Sequence, residues 1–304
     1  MLSRGIITFA YGNENFVQQA KALARSLVLH DPSVPRCVVT DVADPELDAL
    51  FTKSIAYRSE YGSSFRQKLH IDLYSPFYET LFIDSDSLVI RNLDSYWRAF
   101  KDDYFAVQGV QVLAAGESDP EHLDVEFLLR YFQLAGLPKF NGGVYYFKAS
   151  PQAEIFFATA RDLLKRHCDL RFPDFRGDGP SDEAIYSTAM AIHGLTVTDM
   201  GIGGMWTPLH RESRVTIDVP RGICEFVKRG RSLRPCIIHY AMLTDTLQYR
   251  SECRKLELLS KGQARLARTE RLTLLVTSWV PWIRRKWRGL KWRFGRLGFL
   301  RLFS

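Results

Sequence analysis

The chain has 304 residues, 46% of them apolar and 25% charged, with a formal net charge of +7. That is enough apolar matter for a sizeable core, which excludes bulk disorder, and the length suits one large α/β domain or two small ones. The charge is uneven: residues 271–304 hold nine Lys/Arg and no acid, leaving −2 on the first 270, so a nearly neutral body precedes a strongly basic tail. Such asymmetry implies a local anionic partner, membrane or nucleic acid. Five scattered cysteines with no Cys-x-x-Cys pair argue against a zinc site or a disulfide framework and fit a reducing compartment. Met1-Leu-Ser-Arg-Gly-Ile enters a strand at once, with no signal-peptide apolar run, so the expected origin is cytosolic.

In chain order, residues 5–10 read as a first strand and Tyr11-Gly12-Asn13 as a turn, with Asn13 capping a helix. Phe16, Ala20, Leu23, Leu27 and Leu29 give that helix an apolar face, and Pro32 stops it near His30. Residues 36–40 are a second strand ending at Asp41. This β-α-β unit predicts a parallel sheet with a right-handed crossover. A short helix over 45–51, a strand near 55–57 and a helix over 65–74 follow.

Then comes Thr80-Leu-Phe-Ile-Asp-Ser-Asp-Ser-Leu-Val-Ile-Arg91. The apolar run reads as a buried strand, and ligands in open α/β sheets bind outside the carboxyl ends of strands. If the chain stays extended, Asp84 and Asp86 project to one side, with Ser85 turned away. Two hard oxygen ligands aimed at one point suit Mg²⁺ or Mn²⁺, above all with a diphosphate supplying further oxygens. The competing reading is a plain turn, since Asp and Ser bond their own backbone there.

Further on, residues 105–108 read as a strand and the mixed stretch 109–139 as a lid or acceptor-binding region with a helix over 122–135. Residues 140–148 are a strand that starts with a glycine pair, and 151–168 form an amphipathic helix. Ser181 caps another helix with Asp182 and Glu183 in its first turn, where the dipole favours acids. Residues 236–240 are a last apolar run, with His239 near its end.

Five pieces taken together resemble a GT-A glycosyltransferase, most closely the family 8 group of retaining galactosyl- and glucosyltransferases. They are Thr8-Phe-Ala-Tyr-Gly12, the Lys68 helix, Asp84-Ser-Asp86, Phe140-Asn-Gly-Gly143, and Ser181-Asp-Glu183 with Ile238-His-Tyr240, spread over about residues 5–245. The resemblance implies a Rossmann-like, mostly parallel α/β sheet for the domain read over 1–260, and composition sets apart the basic, aromatic-rich tail over 261–304. It assigns the nucleotide base and ribose of a UDP-sugar donor to Thr8, Ala10, Tyr11 and Gly12. Lys68, with Arg66 as the fallback, would lie near the donor phosphates, along with Ser85. Asp84, Asp86 and His239 would hold Mn²⁺ or Mg²⁺, imidazole favouring Mn²⁺. Asn141 and Gly142 would meet the donor sugar or acceptor. Asp182 would grip the sugar hydroxyls, and it or Glu183 is the candidate catalytic carboxylate. Where the family commonly has Gln after that aspartate, this chain has Glu183, and its first turn lacks the family's Asp or Asn.

The implied activity is a metal-dependent hexosyltransferase acting on a glycan or glycolipid acceptor. A sugar nucleotidyltransferase is the rival on a related scaffold, but residues 9–12 lack the cation its first loop carries. A non-catalytic membrane scaffold is the rival of another class. In the tail, Trp279, Trp282, Ile283, Leu290, Phe294 and Leu297 recur at near-helical spacing with cations between them, the composition of an interfacial helix. Residues 272–283 are too short an apolar run to span a bilayer, which takes about 20. Eight cations within 284–301, each worth roughly 1 kcal/mol near an anionic leaflet, point to peripheral attachment at the cytoplasmic membrane face rather than to nucleic acid. Trp206, after the Gly-rich loop 201–204, is a candidate for stacking on a sugar or for packing.

Overall fold

The structure, a computed structural model, describes residues 2–117, 119, 124–175, 177 and 179–263. The basic tail from residue 264 onward lies outside the described residues. No helix among them is long and apolar enough to cross a membrane. The chain divides into a unit ending at His239 and a second beginning at Tyr240.

In chain order the first unit runs β1 (Leu2–Ala10), α1 (Glu14–His30), β2 (Arg36–Thr40), α2 (Pro45–Leu50) and β3 (Lys53–Ala56), then a 3-10 helix over Ser64–His70. It continues with α3 (Ile71–Tyr74), β4 (Phe77–Ile83), β5 (Ser87–Val89), α4 (Asp94–Ala99), β6 (Phe105–Leu113), α5 (Val125–Phe132) and β7 (Leu137–Lys148). The last elements are α6 (Pro151–Lys165), α7 (Asp182–Ile192), β8 (Met205–Trp206), β9 (Thr216–Asp218), β10 (Ile223–Lys228), β11 (Arg231–Leu233) and β12 (Ile237–His239).

The main sheet has the order β3-β2-β1-β4-β7-β6, with the first four strands parallel and β7 antiparallel to both neighbours. Alternation sorts its side chains into two cores. Ile7, Phe9, Phe82, Phe105 and Tyr145 pack with Phe156 of α6 and Tyr186 of α7. Ile6, Leu81, Ile83 and Tyr146 pack on the other face with Leu23 and Leu27 of α1 and Trp97 of α4. Burial on both faces is why these strands read as apolar runs. The ends of β1, β2 and β4 therefore lie side by side, and the Gly12 N–H donates to the Asp41 carboxylate across 2.9 Å.

Asn13 caps α1 by accepting from the Asn15 N–H, and Ser181 caps α7 by accepting from the Ala184 N–H. On α1, Ala20, Leu23 and Leu27 are buried but Phe16 and Leu29 face solvent, with Val17, Ala22 and Ala24 also in the core. The helix expected over 65–74 is instead a 3-10 turn followed by one α turn. Side chains claim its carbonyls: Tyr186 donates to the Lys68 oxygen, Arg161 to that of Leu69, and His70 Nδ1 lies 3.1 Å from that of Arg66. In the stretch 109–139, β6 runs on to Leu113 and β7 starts at Leu137, and the helix expected over 122–135 is α5, shorter at both ends.

Residues 84–87 are a tight turn, closed by the Ser87 N–H on the Asp84 carbonyl at 3.0 Å, not the extended chain expected. The turn hands the chain to β5, which pairs antiparallel with β12, setting Ser87 opposite His239. The second unit contains α8 (Leu247–Ser260), capped by Thr246 and laced by Glu257 with Arg254 and Lys261.

Candidate functional site

Three backbone segments deliver the site. The Asp84 N–H donates to the Gly143 carbonyl at 3.0 Å, fixing the turn against β7, and β5 brings His239 alongside. The ligand atoms of Asp84, Asp86 and His239 all lie within 4.8 Å of one another. His239 Nε2 is 3.1 Å from Asp86 and 3.7 Å from Asp84. The turn reading and the convergence are both true, because a tight turn also points its first and third side chains at one place.

The imidazole is held from behind. Asn141 Oδ1 accepts from the Gly143 N–H at 3.2 Å and sits 2.7 Å from His239 Nδ1. An amide oxygen only accepts, so Nδ1 carries a proton and Nε2 faces the carboxylates, which is how a metal-ligating histidine is oriented. Two glycines make room. A Cβ on Gly143 would lie 2.6 Å from His239 Nδ1, and one on Gly142 would lie 2.4 Å from the Tyr145 hydroxyl.

Lys68 Nζ contacts both Asp84 oxygens at 2.8 and 2.9 Å and Asp182 at 3.4 Å. Burial opposes its charge, but the Asp182 and Asp84 carboxylates prevail and hold its pKa above the ordinary lysine value. Burial pushes Asp84 up despite Lys68, with Asp86 adding repulsion. Burial lowers His239, yet Asp86 and Asp84 leave it raised overall. Asp182 is locked from the other side, the Tyr145 hydroxyl donating to it at 2.5 Å. Glu183 accepts from the Gly142 N–H at 2.9 Å and lies 3.9 Å from Lys139, itself 3.0 Å from Asp119. Two carboxylates and an oriented imidazole at one point are a donor set that fits a divalent ion.

This cluster borders a cleft of about 600 Å³ whose walls include Tyr11, Gly12, Phe16, Lys68, Ser85 and Asp86. The Tyr11 ring stacks on Tyr57, centroids 4.5 Å apart. Thr8 and Ala10 are wholly buried and do not line the cleft. Arg66 lines a different cleft, with Glu60 and Arg161, so Lys68 is the cation at the site. Sequence reasoning passed over Tyr145, Lys139 and the cleft role of Phe16. Of these only Phe16 leaves a trace in the chain, as a large apolar residue directly after the Asn13 cap.

Trp206 lines a second, smaller cleft beside Asn141, its indole N–H bonded to the Gly201 carbonyl.

No family model and no curated protein matches the sequence. Solved structures do. A complex of the galactosyltransferase LgtC with donor and acceptor sugar analogs aligns with TM-score 0.55 at 15% identity, covering 88% of this chain and 99% of that one. An active-site Gln-to-Glu mutant of LgtC aligns with TM-score 0.54 at 15% identity over the same shares. The chain therefore has the GT-A fold, the mixed, mostly parallel α/β sheet flanked by helices.

Proposed function

We propose that the protein is a glycosyltransferase, moving a hexose from a UDP-sugar to a glycan or lipid-linked acceptor with a divalent ion and with retention at the anomeric carbon. One observation carries the reading: Asp84, Asp86 and His239 converge, with Lys68, at the lip of a cleft large enough for a nucleotide-sugar. The likeness to LgtC supports it at the level of fold.

In this reading Tyr11 and Gly12 receive the nucleoside and Lys68 faces the donor phosphates. Asp84, Asp86 and His239 hold the ion, Mn²⁺ preferred because of the imidazole. When bound, that ion neutralises phosphate oxygens as they gain charge. The acceptor hydroxyl oxygen bonds to the anomeric carbon as the bond from that carbon to the diphosphate oxygen breaks. The diphosphate keeps the electron pair and takes the hydroxyl proton. Both candidate carboxylates are engaged, Asp182 by Tyr145 and Lys68, Glu183 by the Gly142 amide. That favours this front-face route over attack by a protein nucleophile. The basic tail would hold the enzyme at the cytoplasmic membrane face, where a lipid-linked acceptor lies.

A thermal-shift panel of nucleotide-sugars with and without Mn²⁺ tests the reading, since a ligand of the native state raises apparent stability. UDP-sugars are expected to stabilise the protein only with the metal, and to be hydrolysed slowly. No Mn²⁺-dependent shift with any of them would remove it. For the tail, a chain ending near residue 265 should stay folded and cease to co-sediment with anionic vesicles.

A further inference from the structure

The second cleft, about 230 Å³ or roughly the volume of eight waters, is walled in part by Gln108, Lys139, Asn141, Trp206, Lys228 and Arg229. Three cations and no acid are among its lining residues. Lys139 is balanced by Asp119. Lys228 is not: it is 9% exposed, its ammonium donates to the Thr207 carbonyl at 2.9 Å, and it has no carboxylate partner among the described residues. A buried charge that lacks a counter-charge is costly unless something supplies one. Burial, then Arg229 next door, press its pKa down, and no acid offsets them.

Arg229 is placed with equal expense. The Lys228–Arg231 pair closes the β10–β11 hairpin and leaves Arg229-Gly230 as a two-residue loop with φ +52° and +68°. That turn favours Asn-Gly, since a long side chain is strained there. Arg229 is exposed and has no ion-pair partner among the described residues. Beside it, Trp206 offers an apolar ring whose N–H is already satisfied. Asn141, which steadies His239, forms part of the wall.

We propose that this cleft is an acceptor subsite for a sugar bearing an anionic group, a carboxylate or a phosphate, with Lys228 and Arg229 taking the charge and Trp206 the ring. Only the word acceptor rests on the transferase reading. Binding of the charged sugar does not.

Titration calorimetry on the full chain in EDTA tests it, with glucuronate and a hexose 6-phosphate as probes and glucose and inorganic phosphate as controls. At least one charged sugar should outbind glucose by about tenfold, as expected for charge-assisted hydrogen bonds. The tighter of the two identifies the anionic group. Arg229→Asn should weaken that binding by about tenfold while leaving the unfolding temperature equal or higher, because Asn suits the turn. Lys228→Gln should weaken it likewise, and if that variant fails to fold, Arg229→Asn still decides. Equal affinity for glucose, equal affinity for inorganic phosphate, or binding unmoved by Arg229→Asn would each overturn the proposal. A failed UDP-sugar thermal shift leaves these titrations standing, so the two readings fail separately.

Discussion

Two buried lysines in this molecule each hold two carboxylates, and they do opposite things. Lys21 of α1 meets Asp44 at 2.6 Å and Glu46 at 3.2 Å, and Arg25 also pairs with Glu46. Two cations balance two acids. The Lys21 hydrogen bond holds the Asp44 carboxyl below its ordinary value, and Arg25 and Lys21 do the same for Glu46 against a burial penalty. Lys68 meets Asp84 and Asp182, but Asp86 stands beside them, His239 is the other base, and Asp84 is raised. The first cluster is complete and joins α1 to α2. The second sets Asp84, Asp86 and Asp182 around one lysine, with His239 facing two of them. An ion-pair count would have scored them alike. Geometry separates them: only in the second do two carboxylates and an imidazole bring their ligand atoms within 4.8 Å of one another.

Substitutions should sharpen that contrast. Asp86→Asn should abolish the Mn²⁺-dependent thermal shift, weakening metal binding by at least about 100-fold, with the metal-free unfolding temperature unchanged or raised. A preserved Mn²⁺ response would show that the two clusters are the same in kind. Gly143→Ala drives a methyl into the His239 ring. Metal affinity should fall about 10- to 100-fold and stability by about 1–3 kcal/mol, both readable in one thermal titration. Asp44→Ala removes the α2 cap and the nearest partner of Lys21, costing about 2 kcal/mol by denaturant unfolding and leaving the Mn²⁺ response intact.

The smallest effect is on pH. Asp44 and Glu46 have folded values below the ordinary 3.8 and 4.5. Their contribution is therefore fully present above those ordinary values and lost as pH falls through the depressed folded ones. Acid should loosen the clamp below about pH 4, and Asp44→Asn should flatten that limb of the stability curve.

Sequence reasoning was good where local rules and burial agree. The apolar runs of β1, β2, β4 and β7, the Asn13 and Ser181 caps, and the apolar face of α6 all follow from composition and spacing. It was poor where tertiary partners decide. The Lys68 segment scans as an α-helix because its competitors for carbonyls, Tyr186 and Arg161, lie more than 90 residues away. β8 to β11 are two to six residues long and half-buried, too short for periodicity to register. The β10–β11 turn carries Arg-Gly where Asn-Gly would have announced it. At the site, the sequence paired Asp84 with Asp86 on the premise of an extended chain, whereas a turn brings them together, and only the β5–β12 register explains how His239 reaches them.

That register has a consequence in time. The aspartates leave the ribosome early, while the imidazole that completes their cluster is 153 residues behind Asp86. At 5–20 residues per second the delay is about 8–30 s. Until β12 docks on β5, the nascent chain holds the two acids without the imidazole, and on the metal-dependent reading has little grip on an ion. Competence would then switch on in a single late step rather than accumulate as synthesis proceeds.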